Sequence, residues 1–314
     1  MHPSVVVSAV IPTFNRPRLV VRAAASALAQ SFAELEVLVV VDGPDQQTVA
    51  ELERLADPRL RVLVLPRQSG PAAARNAGVQ AARGEWIAFL DDDDLWLPEK
   101  LARQMAVAAA SRQRFPIISC RAIARTARGD FVWPNSLPGD EPLSEYLMER
   151  RNILRRPGYV ATPTLLARRD MLIEVPMPDL DDLEDWGWLL QAAARFDARV
   201  ESLPEPLCVV HLADDRPSRS QRDHWRVVLD WARRYRCYMT GRAYAAFLVT
   251  KVSGQARRQG DWRALAEVVG EIRRHGRPTA QHLLILAGIW LLPAGGHRLV
   301  RALSFAFSTR VRAG

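Results

Sequence analysis

The stretch that most restricts the fold is Trp86-Ile87-Ala88-Phe89-Leu90, which runs straight into four aspartates, Asp91 to Asp94. Five apolar residues without polar alternation read as a strand buried on both faces, the environment of a parallel sheet flanked by helices. Four adjacent carboxylates at its carboxyl end repel one another unless a cation sits among them. In open α/β sheets that end is also where ligands bind. Asp91 and Asp93 stand two positions apart, so extended chain would turn both to one side, about 7 Å from each other. Such a pair can hold a hard divalent cation, Mg2+ or Mn2+, which carries a phosphate on its remaining positions. A solvated acidic turn is the alternative. A calcium loop of the EF-hand type is disfavoured by Trp96, which stands where that loop needs glycine.

Upstream, apolar runs and helical periodicity alternate with short links. Residues 5–12 read as a first strand stopped by Pro12, 13–17 as a loop and 18–30 as an Ala-rich helix. A second strand, 36–41, ends in Asp42-Gly43-Pro44-Asp45. Helix 46–55, strand 61–65 and helix 72–82 follow, the last opened by Gly70-Pro71. This is the signature of right-handed βαβ units. After a helix at 98–111 come expected strands at 117–124 and 131–133, a helix at 143–151 and a segment at 162–167. A helix at 184–195 opens on two acids, and short strands follow at 199–203 and 207–211. From 221 onward the pattern is helical: 221–238, 242–258, 261–274, 280–292 and 298–307. The expected division is a domain at 1–215, split near 115 into nucleotide-binding and acceptor halves, and a basic helical region at 216–314. The run 283–292 is too short to span a bilayer, which takes about 20 residues. It reads as a core helix in preference to an interfacial one.

A chain of 314 residues, 48% hydrophobic and 25% charged, has the composition of a soluble globular protein that buries a real core. Cys120, Cys208 and Cys237 form no CxxC pair, which points to a reducing, cytoplasmic compartment and away from a zinc site. The apolar run near the N-terminus lacks a preceding basic residue and reads as a strand, not a signal peptide. Net charge is +8, unevenly spread: residues 216–314 hold 19 Arg and Lys against 5 Asp and Glu. A basic segment beside an acidic one suits an anionic partner, either a membrane surface or nucleic acid. It carries no recognisable nucleic-acid reader motif, so a specific nucleic-acid partner is not expected.

Several separated pieces together resemble the family 2 glycosyltransferases of GT-A fold. They are Val7-Ser8-Ala9-Val10-Ile11-Pro12-Thr13-Phe14-Asn15-Arg16, Glu36 to Gly43, Gly70-Pro71-Ala72-Ala73-Ala74-Arg75-Asn76-Ala77-Gly78, and Phe89 to Asp94 with Trp96-Leu97-Pro98-Glu99-Lys100. Glu184-Asp185-Trp186 resembles the family's later acidic pair. The match runs from about residue 4 to 212, five motifs in the right order. The fold so implied is α/β, a mixed, mostly parallel Rossmann-like sheet flanked by helices, with a helical C-terminal extension.

The resemblance implies roles. Pro12, Thr13 and Phe14 would line the nucleotide base, with the Phe14 ring available for stacking. Asp42 would accept from the base, usually uracil, and Arg75 would reach the nucleotide. Asp91 and Asp93 would form the DxD pair, Asp93 being the more direct ligand of Mg2+ or Mn2+. Asp92 would lie on the nucleotide side, and Asp185 would be the general base toward the acceptor hydroxyl. A histidine near the place of His211 approaches the metal or diphosphate in related enzymes. The activity implied is inverting, metal-dependent and non-processive transfer of one sugar from a nucleotide diphosphate, a UDP-sugar favoured. The acceptor would be a glycan, a lipid-linked sugar or another hydroxyl compound.

The chain departs from the pattern at Val41, where an acid often precedes Asp42, and at Pro176-Met177-Pro178 before the acidic pair. It also has His224 where processive synthases carry Arg in Gln-x-x-Arg-Trp. Two other readings stand beside the main one. A nucleotidyltransferase would share sheet and metal, but glycine is missing from 13–17. A basic nucleic-acid or membrane-binding protein with an inactive domain would keep its affinity without Asp93.

Overall fold

The computed structural model describes residues 5–127, 129–150, 158–180, 183–212 and 224–291. Two compact units emerge, one from the described parts of 1–133 and 160–214, the other from those of 134–159 and 215–309.

The first unit is a mixed sheet with helices. Strands β1 (Val7–Thr13), β2 (Leu35–Val41), β3 (Leu60–Val64) and β4 (Trp86–Phe89) run parallel in the order β3-β2-β1-β4. Helices α1 (Pro17–Leu28), α2 (Gln46–Glu53) and α3 (Pro71–Ala81) connect them. Every residue of β1, β2 and β4 is buried, as apolar runs without alternation require. The sheet continues through β8 (Leu166–Arg168), β6 (Ile117–Thr126), β9 (Val200–His211) and β5 (Leu95–Trp96), with β7 (Gly129–Trp133) paired to β6. Helix α4 (Lys100–Ala110) follows β5, α6 (Arg169–Glu174) follows β8, and α7 (Glu184–Phe196) precedes β9.

Two local expectations change and one strand is added. Pro12 does not stop β1, which continues to Thr13 with Pro12 opposite Val40. Pairing between β1 and β4 ends at Val10 and Phe89, so beyond Val10 the strand has its ladder on the β2 side alone, where a residue without an N–H is tolerated. The two short strands near 199–211 are one strand, β9. Its register against β6 slips between Cys120 and Ala122, leaving Pro204 and Glu205 unmatched between Leu203 and Pro206. The two-residue β5, too short to show periodicity, closes the far edge by pairing Leu95 with Val209 and Trp96 with Cys208.

Close approach fixes α3. A Cβ on Gly78 would stand 2.4 Å from Val10 Cγ1 and 3.1 Å from Val40 Cγ2, so only glycine lets the helix lie this near the sheet. Behind β5 lies a buried polar cluster. Lys100 Nζ donates to Gln104 Oε1 at 2.6 Å and sits 4.1 Å from the centre of the Trp96 ring. Cys120 Sγ and Cys208 Sγ approach to 3.7 Å as free thiols. Burial lowers the Lys100 pKa.

The second unit is helical: α5 (Leu143–Met148), α8 (Trp225–Tyr235), α9 (Gly241–Phe247), a π-turn at Leu248–Val252, α10 (Ser253–Arg258), α11 (Arg263–His275) and α12 (Ala280–Leu291). Its core holds Trp225, Trp231, Tyr235, Tyr244 and Phe247. Tyr244 donates to Glu271 Oε2, whose other oxygen takes two bonds from Arg233. Segment 283–292 does not fill this core as expected: Leu283, Leu284 and Leu291 of α12 are exposed. The expected helix at 298–307 and the residues Gln221, Arg222 and Asp223 lie outside the described residues.

Candidate active site

Residues 91–94 form a turn in which the Asp94 N–H donates to the Asp91 carbonyl at 3.1 Å, so they are not the extended chain that spacing suggested. The four carboxylates still divide into two kinds. Asp92 and Asp94 are buried, whereas the side chains of Asp91 and Asp93 stay 29% and 26% exposed.

The buried pair ties the turn to its surroundings. Asp92 accepts from Thr13 Oγ1 at 2.8 Å and from Arg16 Nη1 at 2.9 Å. Burial raises its pKa, opposed chiefly by Arg16 and Thr13. Its carboxylate thus holds the loop after β1 against the acidic turn, a structural engagement that the assignment to nucleotide binding did not include. Asp94 Oδ1 accepts the backbone N–H of His211 at 2.8 Å. Burial pushes the Asp94 pKa up to about 7, with His211 partly opposing. The His211 ring stands beside it, Nδ1 3.9 Å from that oxygen and without a hydrogen bond of its own.

The exposed pair faces cations already in the chain. Asp91 Oδ1 accepts from Arg75 Nη2 at 2.6 Å, and Arg16 Nη1 lies 3.4 Å from Asp93 Oδ2. Arg22 Nη2 donates to the Asp93 carbonyl at 2.9 Å. Arg75 itself is buried on α3, one helical turn before Gly78, so the close packing of that glycine carries the guanidinium to the end of the sheet. Its other nitrogen, Nη1, donates to Glu184 Oε1 at 3.1 Å. Burial opposes the Arg75 charge, but Asp91 and Glu184 outweigh it and its pKa is raised. One arginine therefore joins the acidic turn after β4 to the first turn of α7, 109 residues away from it in sequence.

Asp185 follows Glu184 and accepts its neighbour Trp186's N–H at 2.8 Å. Leu183, just before the pair, adopts a left-handed φ of 63°, as does Asn15 at 52° in the loop after β1. A branched apolar residue in that region stores strain, and such residues gather at functional sites. Asn76 pairs with Met177 like a backbone amide, donating to its carbonyl at 2.8 Å and accepting its N–H at 2.9 Å. That pairing fixes the departure at Pro176-Met177-Pro178 against α3.

Asp42 directly follows β2 with both oxygens engaged, accepting from the Ser69 N–H at 2.7 Å and the Gly70 N–H at 2.9 Å. It thereby ties β2 to the start of α3, and each oxygen keeps a further lone pair. Pro12 is enclosed in β1 and Thr13 is committed to Asp92, while the Phe14 ring is 41% exposed. Pairing thus forms two groups on the one acidic turn, Thr13, Arg16, Asp92 and Asp93 in the first and Arg75, Asp91 and Glu184 in the second. Arg16 and Glu184 were given no individual role from sequence, although both stand inside the quoted motifs.

Residues 8–175 match the family described as Glycosyl transferase family 2. The chain belongs to this family. Over 105 residues this family 2 chain is 45% identical to the succinoglycan biosynthesis protein ExoO of Rhizobium meliloti (strain 1021), a stretch covering 33% of this chain and 30% of that protein. Over 101 residues it is 34% identical to the UDP-Glc:alpha-D-GlcNAc-diphosphoundecaprenol beta-1,3-glucosyltransferase WfgD of Escherichia coli, covering 32% of this chain and 40% of that one. The chain thus spans less than half the length of either relative. Its fold is similar to that of S. aureus TarS 1-349 in complex with UDP-GlcNAc, with a TM-score of 0.61 at 19% identity over 96% of this chain and 88% of that one. It is also similar to a mannosyltransferase of Pyrobaculum calidifontis in complex with GDP-Man and Mn2+, with a TM-score of 0.57 at 16% identity over 96% and 85%. At such identities the likeness establishes the fold, which is the GT-A fold of the family.

Among the described residues no three His, Cys, Asp or Glu side chains form a ready-made metal cage. The donors nonetheless suit a hard cation that keeps water and phosphate on most of its positions. Asp93 is a partly exposed carboxylate, and the His211 ring beside the acidic turn has an unpartnered, buried Nδ1.

Proposed function

We propose that the chain transfers one sugar from a nucleotide diphosphate to an acceptor hydroxyl with inversion, and that UDP-sugars are its donors. The observation that carries this reading is the Arg75 bridge, which joins Asp91 to Glu184, the first residue of the acidic pair. WfgD is named for UDP-Glc and a diphosphoundecaprenol-linked GlcNAc, and TarS was solved with UDP-GlcNAc, which supports a UDP-sugar donor and a glycan or lipid-linked acceptor. The Mn2+ in the Pyrobaculum enzyme supports a divalent cofactor.

The chain's residues divide the chemistry between them. Asp185 takes the proton from the acceptor hydroxyl as the new bond forms, a contribution of about 10²–10⁴ in rate for a positioned base. Glu184 pairs with Arg75, and the base in this reading is its neighbour Asp185, the residue that the family resemblance marks. The Arg75 guanidinium holds Asp91 in place, and the exposed Phe14 ring offers a face to the nucleotide base. Asp91 and Asp93, with His211, would hold Mg2+ or Mn2+, which when bound supplies Lewis-acid stabilisation of the leaving diphosphate.

A thermal-shift panel of UDP, GDP and dTDP with and without Mn2+ tests the donor and the metal together. UDP with Mn2+ should raise the melting temperature, and Asp93→Ala should lose that increment. Asp185→Asn should keep donor binding and lose transfer. Equal shifts with and without Mn2+ would remove the cofactor, and full turnover by Asp185→Asn would remove the base.

A further inference from the structure

Helix α12 is built inside out for a protein that meets only water. Its two polar side chains, Gln281 and His282, turn inward: Gln281 donates to the Arg150 carbonyl at 3.0 Å, and buried His282 accepts the Thr279 N–H at 3.2 Å. The outer face carries Leu283, Leu284, Ala287 and Leu291, all exposed, with the leucines at 53%, 64% and 78%. These positions fall on one side of a helix of 3.6 residues per turn, and that side holds no polar residue. At its edge Trp262 is half exposed, its ring 5.2 Å from that of Trp290 on α12 and 5.1 Å from the Arg257 guanidinium.

Charge decides what could cover this face. After Glu271 the sequence contains no carboxylate and seven arginines, of which Arg273, Arg274 and Arg277 are exposed immediately before α12. A second copy meeting the same face about a two-fold axis would set these arginines against their own duplicates, which is repulsive. A surface that is apolar inside and anionic at its rim meets both features: leucines enter the acyl boundary, arginines lie at the phosphates, and tryptophan sits between them. No helix among the described residues is long and apolar enough to cross a membrane, so the helix would lie in the interface plane.

We infer that the outer face of α12, with Trp262 and the arginines preceding the helix, docks on an anionic phospholipid bilayer. The inference is independent of the donor sugar and stands whether or not the acceptor is lipid-linked. Flotation of the full chain tests it, using vesicles of phosphatidylcholine alone and of equal parts phosphatidylcholine and phosphatidylglycerol. The chain should float with the anionic vesicles and little with the neutral ones. Leu283→Asn, Leu284→Asn and Leu291→Asn combined should lower partitioning about tenfold or more. Arg273→Gln, Arg274→Gln and Arg277→Gln should lower it about fivefold per arginine at low salt. The leucine variant should keep the melting temperature and the nucleotide-dependent shift of the parent, which separates this test from that of the donor site. No flotation with anionic vesicles overturns the inference, as does flotation unchanged by the leucine substitutions. A leucine variant that melts much earlier would instead show the face to be covered by the chain itself. Concentration-dependent dimerisation abolished by the same substitutions, without vesicle binding, would assign it to a second copy.

Discussion

Replacing Arg75 by methionine tests the bridge directly, because the side chain is similar in length and removes only the fork of charge. Two charge-assisted hydrogen bonds go, to Asp91 at 2.6 Å and to Glu184 at 3.1 Å. Removing one partner from a fully buried ion pair costs about 3–5 kcal/mol, since the stranded charge remains. Here the stranded carboxylates are 29% and 18% exposed and can draw water, so the loss should be nearer to about 2–3 kcal/mol. At about 2–4 °C per kcal/mol for a unit of this size, calorimetry should show melting about 5–10 °C lower. Arg75→Lys should fall between the two, because one ammonium cannot serve both carboxylates in a fork. A double-mutant cycle with Glu184→Gln supplies the decisive number: a coupling of about 1 kcal/mol or more is expected for groups in direct contact. A drop under about 2 °C for the methionine variant, or additivity in the cycle, would refute the reasoning.

Three other outcomes follow from contacts in the first unit. Glu36 is buried and accepts from Ser8 Oγ, the Arg83 N–H and Arg61 Nη1, each at 2.6 Å; burial raises its pKa, but these donors outweigh it and leave it below the usual glutamate range. The unfolded chain therefore binds more protons across that window, so this stability is full above the ordinary glutamate pKa and lost as pH falls through the native one. Glu36→Gln should be less stable at neutral pH and converge with the parent in acid; a constant difference across a pH series of urea titrations would contradict it. Gly78→Ala should cost about 1–2 kcal/mol, as overpacking against Val10 and Val40 exceeds the gain in helix propensity, and an unchanged urea midpoint would count against the close approach. Lys100→Met should be neutral or stabilising by about 1–2 kcal/mol, since the buried ammonium faces Gln104 and a Trp96 ring and forms no salt bridge among the described residues; a large loss would mean that its charge is needed.

How far the sequence could be read depended on the range of each interaction. The four parallel strands were legible because a doubly covered strand leaves a continuous apolar run, and α3 because Gly70-Pro71 marks its start. Arg75 and the Glu184-Asp185 pair could be singled out by resemblance, but no local pattern showed that Arg75 would grip Glu184 across 109 residues. Arg16 was hidden for the same reason, its partner Asp92 lying 76 residues away. Asp42 was read for a ligand, while its nearest donors are the amides that begin α3. Strand β9 was divided because Pro204 and Pro206 look like breaks, and a bulge absorbs them. Helix α12 was assigned to the core because apolar content reports hydrophobicity and not direction; its exposure follows from which side Gln281 and His282 are anchored.

The turn at 91–94 has a further consequence. Four identical residues share out two unlike jobs by alternation, Asp92 and Asp94 acting as fasteners while Asp91 and Asp93 keep an open side. Exchanging Asp93 therefore alters the open side while Asp92 and Asp94 keep their ties, whereas exchanging either of those undoes a tie and exchanging Asp91 strands the buried Arg75. Repetition of a single residue type thus conceals an arrangement in which adjacent positions answer to separate constraints.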